Sequence, residues 1–362
     1  MDNKLTTTQK KYLQTWLEKV SRSFALVIPT VESPLSENLA VSYLMCRVLD
    51  NIEDCTNPFT WQQKRFQEFA QLVENPKQAE EILVFWDQLD WPGLSPDENH
   101  LMGLDGLMLW QIYAEIPSDA RNIISHWVLE MAEGMQAVML PDEPPVFVTY
   151  HGITLPETLA GYNQYCYYVA GTVGHLATEL VILEHDIDPE IATNLLLNSE
   201  ACGRALQKTN IVKDFAEDIL RGFTYLPATW MQTANYTPLS LAGAPIQWRH
   251  AVLKDVLNEL ANSVGYVVDL PETAVGYRRA CLLSMFPAYQ TILLAAKNQE
   301  QLFTPKHQIK ISRITMGLCI KDAQLLALKN ESIRQYGKKI EMEVDKAFNL
   351  PTISMSADFA VG

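Results

Sequence analysis

The chain has 362 residues, with 43 acidic and 28 basic side chains and a formal net charge of −15. This acidic excess disfavours nucleic-acid binding, which requires clustered Lys and Arg side chains against phosphates. It also disfavours simple electrostatic docking on anionic lipid. Hydrophobic residues make up 48% of the chain and charged residues 20%, which is the composition of an ordinary globular protein.

Apolar residues recur every three or four positions along most of the chain, and this spacing predicts amphipathic helices. We therefore expect an all-α fold, as a single domain over residues 1–362. Prolines fall mostly between the predicted helices, where they end them. The predicted apolar stripes lie near residues 41–52, 64–74, 119–138, 155–183, 190–220, 250–268, 277–297 and 314–330.

Neither end of the sequence has the pattern of a targeting or anchoring segment. Residues 1–14 are polar and charged, without the apolar stretch of a secretory signal. No uninterrupted apolar run reaches the ~18 residues that predict a membrane-spanning helix. The six cysteines show no C-x-x-C spacing, which favours reduced thiols in a cytoplasmic protein. We expect a cytoplasmic protein, a monomer, that touches a membrane only transiently.

Two acidic motifs are the main chemical signal in the sequence. Asp50-Asn-Ile-Glu53-Asp54 and Asp214-Phe-Ala-Glu217-Asp218 both read D-x-x-E-D. On a helix, this spacing places three carboxylates on one face, where their mutual repulsion is unfavourable unless a cation neutralises them. Hard oxygen ligands of this kind suit Mg²⁺, which shares its coordination shell with water and substrate phosphates.

A solvated helix face is the alternative interpretation of each motif alone. Polar residues also continue along each predicted helix, however, at Tyr43 and Arg47 in one and at Gln207 and Asn210 in the other. These polar stripes interrupt otherwise apolar segments, as expected for two helices that face each other across a polar cavity. We therefore predict a Mg²⁺ site that holds a diphosphate, with Arg22, Arg47 and Lys213 available to bind the phosphate groups.

Several segments together resemble the squalene and phytoene synthases. They are Ser21-Arg22-Ser23-Phe24, the run from Tyr43 to Asp50 with the first acidic motif, Tyr165 to Gly174, and Leu206 to Asp214. Phe286 to Gln290, followed by Lys306 to Arg313, is most similar to the squalene-synthase branch. The resemblance covers roughly residues 15 to 330, and the combination of motifs is highly specific.

This resemblance implies an isoprenoid-synthase helical bundle around a central cavity, with a core at about 15–330 and peripheral termini. It also implies an enzyme that couples two farnesyl diphosphates head to head to presqualene diphosphate and reduces it with NADPH to squalene, which passes to the membrane. It implies that Tyr165, with Asp50, Asp54, Asp214 and Asp218, is catalytic. The implied ligands of about three Mg²⁺ ions are Asp50, Glu53, Asp54, Asn210, Asp214, Glu217 and Asp218. The implied substrate contacts are Ser21, Arg22, Ser23, Phe24, Tyr43, Arg47, Gln207 and Lys213.

The sequence departs from the family pattern in two places. Phe223 occupies the position of an Arg after the second acidic motif, so a cationic contact is either lost or supplied by Arg221. The stretch that contacts NADPH in squalene synthases is changed here to Ile309-Lys310-Ile311-Ser312-Arg313. Lys310 and Arg313 are the predicted NADPH contacts, and a solvated loop is the alternative interpretation.

These departures leave several functions open. A synthase of the same fold could make dehydrosqualene, phytoene or presqualene diphosphate. A class I terpene cyclase is less favoured, because it would not need the segments at Ser21 and Tyr165. A catalytically inactive helical scaffold is the alternative from a different class. Gly171 and Gly174, in a predicted helix, either make room for an isoprenoid chain or allow helices to pack closely.

Overall fold

The computed structural model describes residues 5–21, 23–140 and 145–349. Helices dominate these residues, so the predicted all-α class is confirmed. The helices are α1 (Thr7–Val20), α2 (Phe24–Val27), α3 (Leu35–Asp54), α4 (Phe59–Glu74), α5 (Ala79–Trp86), α6 (Pro96–Met102), α7 (Leu107–Glu115), α8 (Ser118–Met139), α9 (Leu159–Cys166), α10 (Thr172–Glu184), α11 (Pro189–Leu197), α12 (Glu200–Leu220), α13 (Ala228–Thr233), α14 (Ile246–Asp269), α15 (Val275–Lys297), α16 (Arg313–Leu326) and α17 (Asn330–Ala347).

One hydrophobic core links these helices, from Leu13 on α1 to Phe348 just beyond α17. Helix α15 lies deep in it and is apolar on most sides, whereas α12 packs against α10, α14 and α15. Helix α17 buries Ile333, Ile340 and Val344. The core therefore extends beyond the expected span of about 15–330, because α17 also repeats apolar residues at helical spacing.

Two helical stretches, Leu159–Glu184 and Glu272–Lys297, have the length and mean hydropathy of a membrane span. Length and composition alone are weak evidence for such a role. Both stretches also contribute buried side chains to the core, such as Leu180 and Met285, which are fully buried.

A β-hairpin interrupts the helices between α8 and α9, where the sequence pattern predicted none. Strands β1 (Phe147–Tyr150) and β2 (Ile153–Pro156) pair antiparallel, with Phe147 opposite Pro156. Their two-residue turn, His151 and Gly152, has positive φ at both positions (51° and 80°). Such turns match the twist of a hairpin. Strands of four residues are too short to produce a clear alternating pattern.

Helices α9 and α10 are joined by a π-helical segment, Tyr167–Gly171. The apolar stripe predicted over residues 155–183 is therefore part strand, part helix and part wider π turn. Insertions of this kind change the direction of the side chains that follow and occur frequently at functional sites.

Candidate active site

The first acidic motif occupies the last turn of α3, which ends at Asp54. Leu44, Leu49 and Ile52 bury one side of this helix in the core, so the opposite side carries the polar residues. The carbonyl end of a helix bears a partial negative charge, which makes carboxylates there unfavourable. Repulsion within the motif adds to this cost, so the end of α3 requires a nearby cation.

The second acidic motif lies in the last two turns of α12, which ends at Leu220. Ile211, Phe215 and Ile219 are buried on the core side of this helix. Asp214 and Asp218, one turn apart, lie on the other side and are half-buried. The carboxyl ends of two helices therefore both carry clustered acidic groups.

A cavity of about 320 Å³ lies between the two helix ends. It brings together most of the predicted site residues from α3, α9 and α12. Its lining consists of Arg47, Asp50, Glu53, Asp54, Tyr165, Val169, Gln207, Asn210, Ile211, Asp214, Asp218, Arg221 and Tyr225. Glu217 is the predicted motif residue that does not line it: the side chain is exposed and accepts a hydrogen bond from Gln308 Nε2.

Three cationic side chains contact the carboxylates of the site. Arg221 Nη2 lies 3.0 Å from Asp54 Oδ1 and so connects the end of α12 to the end of α3. Lys213 Nζ lies 3.0 Å from Asp214 Oδ2. Arg47 Nη1 lies 3.7 Å from Asp50 Oδ2, one turn away on the same helix.

Burial and mutual repulsion raise the pKa values of several of these carboxyls. Burial, partly opposed by Arg47 and reinforced by Asp54, raises the pKa of Asp50 to about 6. Burial and the Asp214 charge raise the pKa of Asp218 to about 7. Burial raises the pKa of Glu53 well above its usual range, and that of Asp214 is raised as well despite Lys213. The protein's own cations therefore leave negative charge at the site only partly compensated.

The donor set fits Mg²⁺. It consists of carboxylate oxygens with an amide from Asn210 and one from Gln207, all at one cavity, and such hard oxygen donors suit this ion. Within the described residues, no three His, Cys, Asp or Glu side chains converge closely enough to hold an ion by themselves. An ion between the two motifs would therefore take further oxygens from water or phosphate, as Mg²⁺ commonly does.

Tyr165 borders the cavity in a cluster of aromatic rings. Its ring stacks on that of Tyr225 at 4.6 Å between centroids. Phe147 of β1 packs edge-on against Tyr165 at 5.6 Å. Burial, the nearby Glu53 charge and the Tyr225 hydroxyl raise the pKa of Tyr165 well above its usual range, so its phenol stays protonated.

Of the predicted substrate residues before α3, Phe24 is linked to the cavity, through Tyr43 and Arg47. The Ser21 hydroxyl accepts a hydrogen bond from the Phe24 backbone N–H at 2.9 Å, and Ser23 is exposed. The Phe24 ring packs on Tyr43 at 5.0 Å. Arg47 Nη2 in turn donates to the Tyr43 hydroxyl at 3.2 Å. Arg22 lies outside the described residues.

The predicted cofactor residues are exposed and do not line the cavity. Lys310 lies in the segment before α16, and Arg313 is the first residue of that helix. Gln308, two residues before Lys310, contacts Glu217 of the second acidic motif. The segment therefore borders the site at its solvent side.

The cavity is also lined by three residues that were not predicted as site residues, Val169, Ile211 and Tyr225. Arg221 was predicted only as a possible source of the cationic contact that Phe223 cannot make. Arg221 lines the cavity, whereas Phe223 does not: its backbone follows β2, with the Thr224 N–H donating to the Thr154 carbonyl at 3.0 Å. The sequence signal for Arg221 was its position three residues after Asp218, on the same helix face. Val169 reaches the cavity from the π-helical segment, which the apolar pattern does not reveal.

Comparison with known proteins identifies relatives of this fold and sequence. A sequence profile described as squalene/phytoene synthase matches residues 17–315. The squalene synthase of Candida albicans is 30% identical over 260 residues, which are 70% of this chain and 53% of that protein. The squalene synthase of Saccharomyces cerevisiae is 25% identical over 299 residues, 79% of this chain and 61% of that protein. The matches thus span little more than half the length of these relatives.

Solved structures share the fold. A structure of TcSQS with the ligand BPH1237 superposes with a TM-score of 0.74 at 22% identity, over 94% of this chain and 98% of that one. A dehydrosqualene synthase in complex with ligand superposes with a TM-score of 0.58 at 18% identity, over 88% of this chain and 96% of that one. With the profile match over most of its length, the chain belongs to the squalene/phytoene synthase family.

Proposed function

We propose that this protein is a squalene synthase, a prenyltransferase that couples two farnesyl diphosphates head to head to presqualene diphosphate and reduces this to squalene with NADPH. The observation that carries the proposal is the single cavity lined by both acidic motifs. Family membership and the similarity to fungal squalene synthases support it.

The diphosphate end of the substrate would lie between the two acidic motifs. Arg47, Lys213 and Arg221 provide positive charge at its edges. Phe24 packs on Tyr43, which in turn accepts a hydrogen bond from Arg47. Bound Mg²⁺, held by Asp50, Glu53, Asp54, Asn210, Asp214 and Asp218, would neutralise the diphosphate leaving group. Gln207 would orient the same phosphates.

The hydrocarbon end would lie against Tyr165, Val169, Ile211 and Tyr225. Loss of diphosphate from an allylic carbon leaves a carbocation, which water would trap unless the surrounding surface is apolar and closed. Ring faces such as those of Tyr165 and Tyr225 stabilise a cation without reacting with it. In the first coupling, C–C bond formation to the cyclopropane releases one diphosphate and one proton. The protonated, buried Tyr165 hydroxyl is suited to donate its own proton to the departing diphosphate, and its phenolate oxygen then takes up the proton released from carbon.

A synthase that stops before reduction is the second candidate. Its support is the position of Lys310 and Arg313, which are exposed and away from the cavity lining, together with the altered stretch around Ser312. Presqualene diphosphate or dehydrosqualene would then be the product, without hydride transfer.

A product assay tests the proposal and separates the candidates. The protein is incubated with farnesyl diphosphate and Mg²⁺, with and without NADPH, and the products are separated by chromatography. Squalene that forms only with NADPH supports the proposal. Presqualene diphosphate or dehydrosqualene in both incubations supports the second candidate.

The alternative that the protein is a catalytically inactive scaffold is tested by ligand binding, without measuring turnover. Mg²⁺ with a non-reactive diphosphate analogue should raise the melting temperature, because a ligand that binds only the folded state stabilises it. The Asp50→Asn and Asp214→Asn variants should lose this rise. A wild-type protein with neither product nor shift in melting temperature would contradict the proposal.

A further inference from the structure

Helix α16 presents an apolar stripe to solvent. Ile314 is 79% exposed, Leu318 56% and Leu325 54%, and Leu328, just beyond the helix, is 50% exposed. At 100° per residue, the first three side chains fall within about 40° of arc. A surface helix normally turns such a stripe towards the core and a polar face to solvent. In α16 the core side is already occupied, by the buried Cys319 and Ala323.

The orientation of α16 is fixed by packing rather than by the exposed stripe. The helix packs against α15 and α17. At its start, the Ser312 hydroxyl accepts a hydrogen bond from the Thr315 backbone N–H at 3.0 Å. Beyond its end, the buried Arg278 Nε donates to the Ala327 carbonyl at 2.7 Å. The apolar stripe is therefore held on the outside of a well-anchored helix.

The charge around α16 is opposite to that of the whole protein. Residues 306–329 contain five basic side chains and one acidic one, whereas the chain carries −15. Lys321 lies within the apolar stripe itself, and all five basic side chains are exposed. Salt screens charges beyond about 8–10 Å, so this local surplus acts largely independently of the distant acidic residues. The five basic residues are Lys306, Lys310, Arg313, Lys321 and Lys329.

We propose that the exposed face of α16, with its flanking Lys and Arg residues, docks on an anionic lipid surface. Exposed apolar side chains would enter the boundary between headgroups and acyl chains, while long basic side chains would contact the phosphates. Both the apolar and the basic side chains are needed, because either kind of contact alone gives only marginal membrane binding. The net negative charge of the whole protein disfavours docking on anionic lipid, but the local positive charge around α16 favours it.

The location of this face suits an enzyme with an apolar product. Gln308, four residues before the N-cap residue Ser312, donates a hydrogen bond to Glu217, the sequence neighbour of the cavity residue Asp218. A protein docked through α16 would therefore hold that side of the site near the lipid. Docking does not depend on the proposed catalytic activity and is measured without substrate.

Sedimentation with lipid vesicles tests the proposal. Vesicles of phosphatidylcholine alone are compared with vesicles that also contain phosphatidylserine, with the full chain and no substrate. We expect binding only to the anionic vesicles, weakened by added salt. The Leu318→Ser/Leu325→Ser variant should bind at least tenfold more weakly. Lys321→Glu should weaken binding about fivefold or more, the effect of one or two surface charges.

Matched variants elsewhere control for general changes in polarity and charge. Leu239→Ser removes an equally exposed leucine (60%) away from α16, and Lys338→Glu reverses an exposed charge on α17. Both should bind vesicles like the wild type. Circular dichroism of the α16 variants should show an unchanged fold, since these side chains point to solvent.

Three outcomes would overturn the proposal. The first is wild-type protein that stays in the supernatant with anionic vesicles. The second is α16 variants that bind as well as the wild type. The third is a change in molar mass by light scattering, without lipid, between the wild type and Leu318→Ser/Leu325→Ser. That result would assign the face to contact between two copies of the chain.

Discussion

Arg221 Nη2 lies 3.0 Å from Asp54 Oδ1, and this ion pair joins the ends of the two helices that carry the acidic motifs. Arg221 follows the last residue of α12, where the partial negative charge of the helix end favours a cation. Its guanidinium therefore compensates part of the charge that Mg²⁺ would compensate more fully. The family pattern has an Arg two residues later, where this chain has Phe223.

Replacement of Arg221 by Gln should impair substrate binding more than folding. Losing a charged hydrogen bond to the diphosphate should raise KM for farnesyl diphosphate by about tenfold or more. Arg221 and Asp54 are 57% and 50% exposed, and exposed ion pairs contribute less than ~1 kcal/mol to stability. Steady-state kinetics and thermal unfolding measure the two effects. Arg334→Gln, on the exposed side of α17, serves as control, and an unchanged KM in Arg221→Gln would remove Arg221 from the site.

Asp218 and Glu217 are adjacent in sequence, but their substitution should affect diphosphate release to different extents. Asp218 lines the cavity, whereas Glu217 is exposed and bonded to Gln308. Asp218→Asn should lower the rate of diphosphate release on the order of 10²–10³-fold, the loss expected for a group that stabilises developing charge. Glu217→Gln should lower it much less. A diphosphate-release assay measures both.

The stability of the Asp218→Asn variant provides its control. The pKa of Asp218 is raised to about 7, because burial and the Asp214 charge disfavour its ionised form. A neutral amide at this position would relieve the repulsion, so the metal-free variant should melt no lower than the wild type. A variant that melts much lower would have lost activity through unfolding instead.

Tyr165→Phe should slow the chemical step while leaving substrate binding nearly unchanged. The ring would keep its stacking on Tyr225, but the hydroxyl proposed to carry the proton would be lost. We expect turnover to fall on the order of 10²-fold or more, with KM little changed. Tyr225→Phe is the matched control, because it removes the hydroxyl of the stacked neighbour and leaves that of Tyr165 in place. Equal losses in both variants would argue against a particular role for Tyr165.

Gly174 should be required for close helix packing. A Cβ at this position would lie 2.1 Å from the Ser199 carbonyl oxygen, a backbone atom that cannot rotate away. Gly174→Ala should therefore reduce the free energy of unfolding by about 1–3 kcal/mol. At Gly265, on α14, an added Cβ would meet no atom within 4 Å, and Gly265→Ala should raise the free energy of unfolding by about 0.5–1 kcal/mol. Denaturant unfolding distinguishes the two, and equal effects would contradict the packing role.

Local periodicity made a large part of the fold and site predictable. The i, i+3, i+4 spacing of the acidic motifs depends only on helix geometry, so each motif could be assigned to one helix face from sequence. On each helix, a polar residue about one turn before the motif extends the same face: Arg47 on α3 and Asn210 on α12. The structure brings both faces to one cavity.

Other features depend on contacts between distant segments. The π-helical segment that brings Val169 to the cavity and the short hairpin that packs Phe147 on Tyr165 leave no distinct apolar pattern. Gly174 was compatible with either a substrate channel or close packing, and only the position of the Ser199 backbone decides for packing.

The charges of the protein were likewise predictable from the sequence in part, and in part were decided by the tertiary structure. The sequence by itself determined the total of −15, the two acidic motifs and the helices that carry them. Only the tertiary structure decided that Arg221 reaches Asp54 and that α16 turns apolar and basic side chains to solvent. The physical reason is range: helix periodicity is set by neighbours a few residues apart, whereas electrostatic and packing contacts join residues that are distant in the chain.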